Sequence, residues 1–160
     1  MWVGLLEAPR RAPEEPGVYV IRWVRGGEPV RIPRLLGVDE SGALYVGSTG
    51  NLRRRLRRLV RGLRRPGPKI HSAALSYYFF ALHKRIEMSE LEVAWVELGS
   101  RDEAREQEWA ALRSYAETYG EAPPLNRSLG RKKYLLLGIV ELRARLAPRL
   151  DPRLAKLLGL

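Results

Sequence analysis

Two short segments each couple a glycine to a tyrosine two residues away: Gly17-Val18-Tyr19 and Tyr45-Val46-Gly47. In an extended chain, residues two apart share a face, and a glycine within a strand often marks close approach of a ligand or another backbone. Two paired strands of this kind can bring their tyrosines to about 5 Å from each other. Directly after the second pair comes a run of arginines: Arg53, Arg54, Arg55, Arg57, Arg58, Arg61, Arg64 and Arg65. Guanidinium forks grip phosphate. A positioned arginine can also stabilise charge that develops in a transition state. These residue types therefore suit either a general grip on a polyanion or chemistry on a phosphate.

The elements that must position them follow from the pattern. Residues 17–24, GVYVIRWV, read as a strand that Gly26-Gly27 ends. Residues 28–41 are irregular, with two prolines and room for a short strand near Arg34–Val38. Glu40-Ser41-Gly42 turns the chain into a second strand, Ala43–Gly47, antiparallel to the first. A helix is expected over 51–63, with Leu52, Leu56, Leu59, Val60 and Leu63 as its apolar stripe. On a helical wheel only Arg53 and Arg55 border that stripe, on opposite edges, and geometry alone does not choose between them. The other six arginines read as a solvated or phosphate-facing surface. Pro66-Gly67-Pro68 breaks the helix.

A second helix is expected over 71–86, with Leu75, Tyr78, Phe79 and Leu82 as its stripe, then a third strand over 91–98. Ser100 and Glu103 form a capping box that opens a helix running to about Thr118. In the tail, Leu135, Ile139, Leu142 and Leu146 mark one helix, and Asp151-Pro152 starts another. The order implies an α+β fold: a small three-stranded antiparallel sheet flanked by helices, with a C-terminal helical tail.

Composition narrows the class. The 160-residue chain has the size of one domain with a small appendage, and carries 29 Lys and Arg against 18 Asp and Glu, a net charge of +11. Nucleic acid is the first partner such a surface suggests, although a GC-rich genome also inflates arginine. The absence of cysteine excludes disulfides, cysteine-based zinc sites and thiol catalysis. Asparagine occurs only at 51 and 126 and glutamine only at 107, a depletion that suggests a thermophile. No apolar run is long enough to span a membrane and the N-terminus lacks signal-peptide architecture, so the expected location is the cytoplasm, with no membrane association.

PGVYVI at 16–21 and LYVGSTGNLRRRL at 44–56 resemble the two signature segments of the GIY-YIG nucleases, and PEEPGVY is especially similar to that family's excision-repair members. The resemblance covers about residues 15–127. It implies an essential arginine ten residues after the second tyrosine, which is Arg55. It also implies a metal-binding glutamate on a later helix, where Glu108 and Glu106 compete. Glu108 shares a helix face with Ala104, Leu112, Tyr115 and Tyr119, and a carboxylate on an apolar face is costly unless paired or bound to metal. Glu108 is the choice and Glu106 the runner-up.

Pro124-Leu125-Asn126 resembles the family's closing asparagine, and His71 a histidine that some homing members carry before the second helix, able to contact phosphate or shuttle a proton. The chain departs at Leu59, where many members have a histidine. The implied activity is DNA cleavage with one Mg2+ (or Mn2+) at Glu108. Tyr19 is then the base for the attacking water, Tyr45 orients water or phosphate, and Arg55 holds the phosphate. The remaining arginines, Arg53 included, together with Arg131, Lys132 and Lys133, grip the DNA backbone. Residues 1–128 form the nuclease unit, with an insertion at about 25–41. Residues 129–160 are a helical extension that packs on the core or contacts DNA, a protein partner or a second copy. The rival reading is a catalytically silent nucleic-acid-binding module of the same fold.

Overall fold

The computed structural model describes residues 1–67, 70–126 and 148–160. In chain order its elements are β1 (Val3–Gly4), α1 (Ala8–Arg11), β2 (Gly17–Arg25), β3 (Glu28–Pro29), β4 (Ile32–Arg34), β5 (Gly37–Asp39) and β6 (Ala43–Thr49), then α2 (Leu52–Arg64), α3 (Ser72–Phe79), β7 (Leu91–Glu97), α4 (Arg101–Tyr119) and α5 (Pro152–Leu158). The fold is α+β, an antiparallel sheet with helices on both faces.

β2 is the central strand because its β-branched and aromatic residues alternate between two apolar faces. It pairs with β6 on one side and β7 on the other, with Tyr19 opposite both Gly47 and Trp95. The expected three strands are joined by two more: β1 extends β7, and β3 pairs with the end of β2. Each of these is two residues long, too short to leave an alternation pattern.

The 28–41 segment also differs from expectation. Its strand near Arg34–Val38 is the turn of a hairpin in which β4 pairs with β5. The fully buried Asp39 anchors that hairpin. Its carboxylate accepts from the Ser41 backbone N–H and hydroxyl, the Ala43 N–H and the Tyr115 hydroxyl at 2.6–3.1 Å. A buried carboxylate with four donors is satisfied without an ion pair.

On one face of the sheet, α2 buries the expected stripe of Leu52, Leu56, Leu59, Val60 and Leu63 against Ile21, Tyr19 and Tyr45. Asn51 caps it by accepting from the Arg54 N–H at 2.8 Å. α3 corrects the reading of 71–86 as one helix. It stops at Phe79, and Ala81 follows in the left-handed region at φ 55°. Its buried face is Ala73, Ala74, Ser76 and Tyr77, whereas Leu75 and Phe79 are exposed. The cause is close helix packing: a Cβ on Gly62 of α2 would lie 3.3 Å from the Ala74 Cβ. Small residues fit that contact and a leucine stripe does not.

On the opposite face α4 packs Ala104, Ala111, Leu112 and Tyr115 against Val18, Val20 and Val46. Half of the expected Ser100–Glu103 capping box forms: the Glu103 N–H donates to Ser100 Oγ, while the Glu103 carboxylate accepts from the Gly99 N–H, one residue before the cap, instead of from Ser100. α5 adds Leu154 and Leu158 to this cluster, and Gln107 ties the preceding chain to α4 through the Arg149 carbonyl and the Asp151 N–H. Leu135, Ile139, Leu142, Leu146, Arg131, Lys132 and Lys133 lie outside the described residues. No helix among the described residues is long and apolar enough to cross a membrane.

Candidate active site

The register of β2 and β6 explains both glycines of the tyrosine segments. A Cβ on Gly47 would sit 2.7 Å from the Tyr19 hydroxyl and 2.6 Å from Tyr45 Cε1. Glycine there is what lets both phenols cross the strand. A Cβ on Gly17 would meet the Val96 carbonyl at 2.4 Å and Leu52 Cδ1 at 2.8 Å, so this glycine makes the seat for the first turn of α2. Tyr19 and Tyr45 are diagonal neighbours, with ring centroids 5.9 Å apart.

The choice that the wheel left open is resolved by contact. Arg55 Nε donates to the Tyr19 hydroxyl at 3.1 Å. Arg53 turns the other way, its Nε donating to the Ala12 carbonyl at 2.8 Å and its Nη1 pairing with Glu14 at 2.9 Å. Arg53, expected on DNA, has its side chain committed to the N-terminal segment.

His71 is a buried member of the cluster, 2% exposed. Its Nδ1 caps α3 by accepting from the Ala73 N–H at 3.0 Å. A backbone N–H can only donate, so the ring proton sits on Nε2. Nε2 lies 2.7 Å from the Tyr19 hydroxyl and donates to it. Burial, reinforced by the charges of Arg55 and Arg58, lowers the His71 pKa to about 3. This corrects the expectation that His71 contacts phosphate or shuttles a proton: at neutral pH it is a fixed donor to Tyr19. The Tyr45 hydroxyl pairs with Ser72 Oγ at 2.9 Å.

Glu108 stands on α4, on the other side of the sheet, and accepts a hydrogen bond from the Ser48 hydroxyl. Ser48 follows Gly47 and so points to the opposite face. The two halves of the site meet around the end of β6. Burial raises the Glu108 pKa, and the Ser48 hydrogen bond and the Arg55 charge oppose it. Burial likewise pushes Tyr19 well above the usual phenol value, Tyr45 adds to the rise, and Arg55 pulls it back. Arg55 itself is held protonated, the hydrogen-bonded tyrosines outweighing the cost of its burial. Glu106 is exposed.

Asn126 holds the strand that carries Tyr45. Its Oδ1 accepts from the Val46 N–H at 2.9 Å and its Nδ2 donates to the Val46 carbonyl at 2.8 Å, while the Leu125 N–H reaches the Leu44 carbonyl at 2.8 Å. The outer edge of β6 is thus completed by 125–126, and Asn126 shapes the site with both polar atoms engaged. Asn126→Ala strands two buried backbone groups, so urea unfolding should show a loss of about 2 kcal/mol.

A cleft of 570 Å³ opens between α2 and α4, with Ser48, Thr49 and Gly50 as floor and Arg54, Arg55 and Arg58 as one wall. Arg101 and Arg105 form the other wall. Sequence reasoning missed these two. The signal was present: Arg101, Arg105 and Glu108 are spaced i, i+4, i+7 and share one face of α4. Arg57, Arg61, Arg64 and Arg65 are exposed and do not line the cleft.

No group of three or more His, Cys, Asp or Glu side chains gathers into a metal site among the described residues. Glu108 is a lone carboxylate, largely shielded, with no ion pair among the described residues. That donor set fits a hard cation that keeps much of its water and shares a phosphate.

No protein-family model matches this sequence, and no curated protein matches it. Among solved structures, it resembles GIY-YIG endonuclease domains. The magnesium-bound N-terminal endonuclease domain of UvrC from Thermotoga maritima is 20% identical over 76% of this chain and 94% of that chain, with a TM-score of 0.38. A point mutant of the same domain, bound to its catalytic divalent cation, is 18% identical over 78% and 96%, with a TM-score of 0.40. The side chains of the cleft carry the functional reading.

Proposed function

We propose that this protein is a divalent-metal-dependent endonuclease that hydrolyses DNA phosphodiester bonds, a GIY-YIG-like nuclease working in the cytoplasm. The carrying observation is the meeting of Tyr19, Arg55 and His71 beside a cleft walled by arginine, with Glu108 across the end of β6. Residues 1–128 form the nuclease unit and 129–160 its extension.

Tyr19 accepts hydrogen bonds from two N–H groups, one of them on a cation. Both strengthen when the phenol loses its proton and so oppose the burial that raises its pKa, and Tyr19 is the base for an attacking water. Arg55 keeps further N–H groups for a phosphate oxygen and opposes charge that develops in the transition state. Tyr45 and Ser72 orient what enters beside Tyr19. Glu108 would hold a Mg2+ or Mn2+ ion, which supplies Lewis-acid polarisation of the phosphate.

The test is supercoiled plasmid incubated with the full chain in Mg2+, in Mn2+ and in EDTA. Nicking with either metal and none in EDTA is expected. Gel shifts without nicking under any metal overturn the nuclease reading in favour of a binding module.

A further inference from the structure

Five guanidinium groups converge on one cleft: Arg54, Arg55 and Arg58 from α2, Arg101 and Arg105 from α4. Charge drawn in by codon bias scatters over a surface, whereas these groups share a concave space. Arg54, Arg58 and Arg101 have no ion pair with a carboxylate among the described residues, and Arg105 makes an exposed contact with Asp102 at 3.4 Å and adds its charge to the surroundings of Glu108. Arg101 is also the first residue of α4, at the positive end of the helix dipole, where a cation is unfavourable. Its stem lies along the β6–α2 turn: a Cβ on Gly50 would be 3.4 Å from Arg101 Cδ. The backbone at the start of α2 does not share the task, because its first N–H groups are consumed by the carbonyls of Glu15 and Pro13 and by the Asn51 side chain.

One phosphodiester carries a single charge and two free oxygens, which two guanidinium forks saturate. Five forks exceed that. We infer that Arg101 and Arg105 are a second phosphate-holding wall facing Arg54 and Arg58, so that the cleft takes a polynucleotide strand over about three consecutive phosphates rather than a mononucleotide or a lone phosphate end. This rests on the reading of the cleft as a phosphodiester site.

The experiment is fluorescence anisotropy of the full chain in EDTA, with labelled single-stranded oligodeoxynucleotides from two to ten nucleotides, at several salt concentrations. Affinity should climb steeply over the first few phosphates. Arg101→Gln with Arg105→Gln should weaken binding of the ten-mer at least tenfold and reduce the salt slope by about 1.4, two single-strand contacts' worth. Arg101→Lys with Arg105→Lys should keep the slope, and Arg31→Gln, on the distant β4–β5 hairpin, should change neither. Circular dichroism melting confirms folding of each variant. Equal affinity for the dinucleotide and the ten-mer, or an unchanged slope in the double Gln variant, overturns the inference. Because no metal is present, plasmid nicking is scored separately: length-dependent binding without nicking removes the nuclease reading and leaves this one standing.

Discussion

Glu108→Gln should lower metal-dependent cleavage by about 100-fold or more, while Glu106→Gln stays within about twofold of the parent chain. Loss of a residue that only supports a metal ligand costs about 10–100-fold, and loss of the ligand itself costs more. Glu108 is the shielded carboxylate, bonded to Ser48 and opposed to Arg55; Glu106 is exposed. Two readouts besides activity follow. Magnesium should raise the melting temperature of the parent chain and not of Glu108→Gln, since a ligand stabilises only the state that binds it.

The sign of the metal-free pH effect is also set. Burial raises the folded pKa of Glu108 above its unfolded value, so the folded chain holds that proton longer. The associated stability is complete below the ordinary carboxylate pKa and is lost as pH rises through the raised one. At neutral pH and without metal, Glu108→Gln should therefore melt higher than the parent chain. A stability gain joined to an activity loss is the pattern of a functional site. If Glu106→Gln loses cleavage and Glu108→Gln keeps it, the assignment reverses.

What the sequence disclosed followed from how strongly each element is patterned. α2 was legible because five apolar residues repeat at helical spacing and an asparagine stands where its cap must be. The central strands were legible because their residues are β-branched or aromatic on both faces. α3 was not, because its packing runs through Ala73, Ala74 and Gly62; a contact made by small residues is invisible to a search for large ones. The β4–β5 hairpin hung on Asp39, whose four donors come from two stretches of the chain far apart in sequence, Ser41 and Ala43 beside it and Tyr115 on α4.

The site divided along the same line. Spacing narrowed the arginine to Arg53 or Arg55, and resemblance chose Arg55. What separates the two in the structure is tertiary: α2 leans so that Arg55 meets Tyr19 and Arg53 meets Ala12 and Glu14. His71 is the clearest case. No periodicity distinguishes a histidine at a helix start that faces solvent from one whose two nitrogens are both committed in the core.

Arg55→Ala should slow cleavage about 10²–10³-fold, the usual cost of one preorganised donor to developing charge. It also removes the group that pulls the Tyr19 pKa down, so the rise of rate with pH should move to higher pH. His71 provides the matching neutral donor, and two substitutions separate its roles. His71→Asn keeps a helix cap, since asparagine accepts from the Ala73 N–H position as readily as other capping residues, but it is too short to reach Tyr19. His71→Gln reaches toward Tyr19 and gives up the cap. Cleavage should fall further in His71→Asn than in His71→Gln, and stability should fall further in His71→Gln.

Stability against pH then isolates the buried imidazole. Its pKa is about 3 in the folded chain against 6.5 ordinarily, so on acidification the unfolded chain takes the proton first. The stability linked to neutral His71 is whole above the ordinary value and is lost as pH falls toward the folded one, at up to about 1.4 kcal/mol per pH unit. Glu108 acts with the opposite sign at the acid end of this window, and it is common to all the chains compared. Urea unfolding at pH 4, 5, 6 and 7 should therefore give a slope for the parent chain that exceeds that of His71→Asn by the imidazole's share. Equal slopes would mean that residue 71 exchanges its proton as freely in the folded chain as in water, and Tyr19 would then have one fixed donor, Arg55, rather than two.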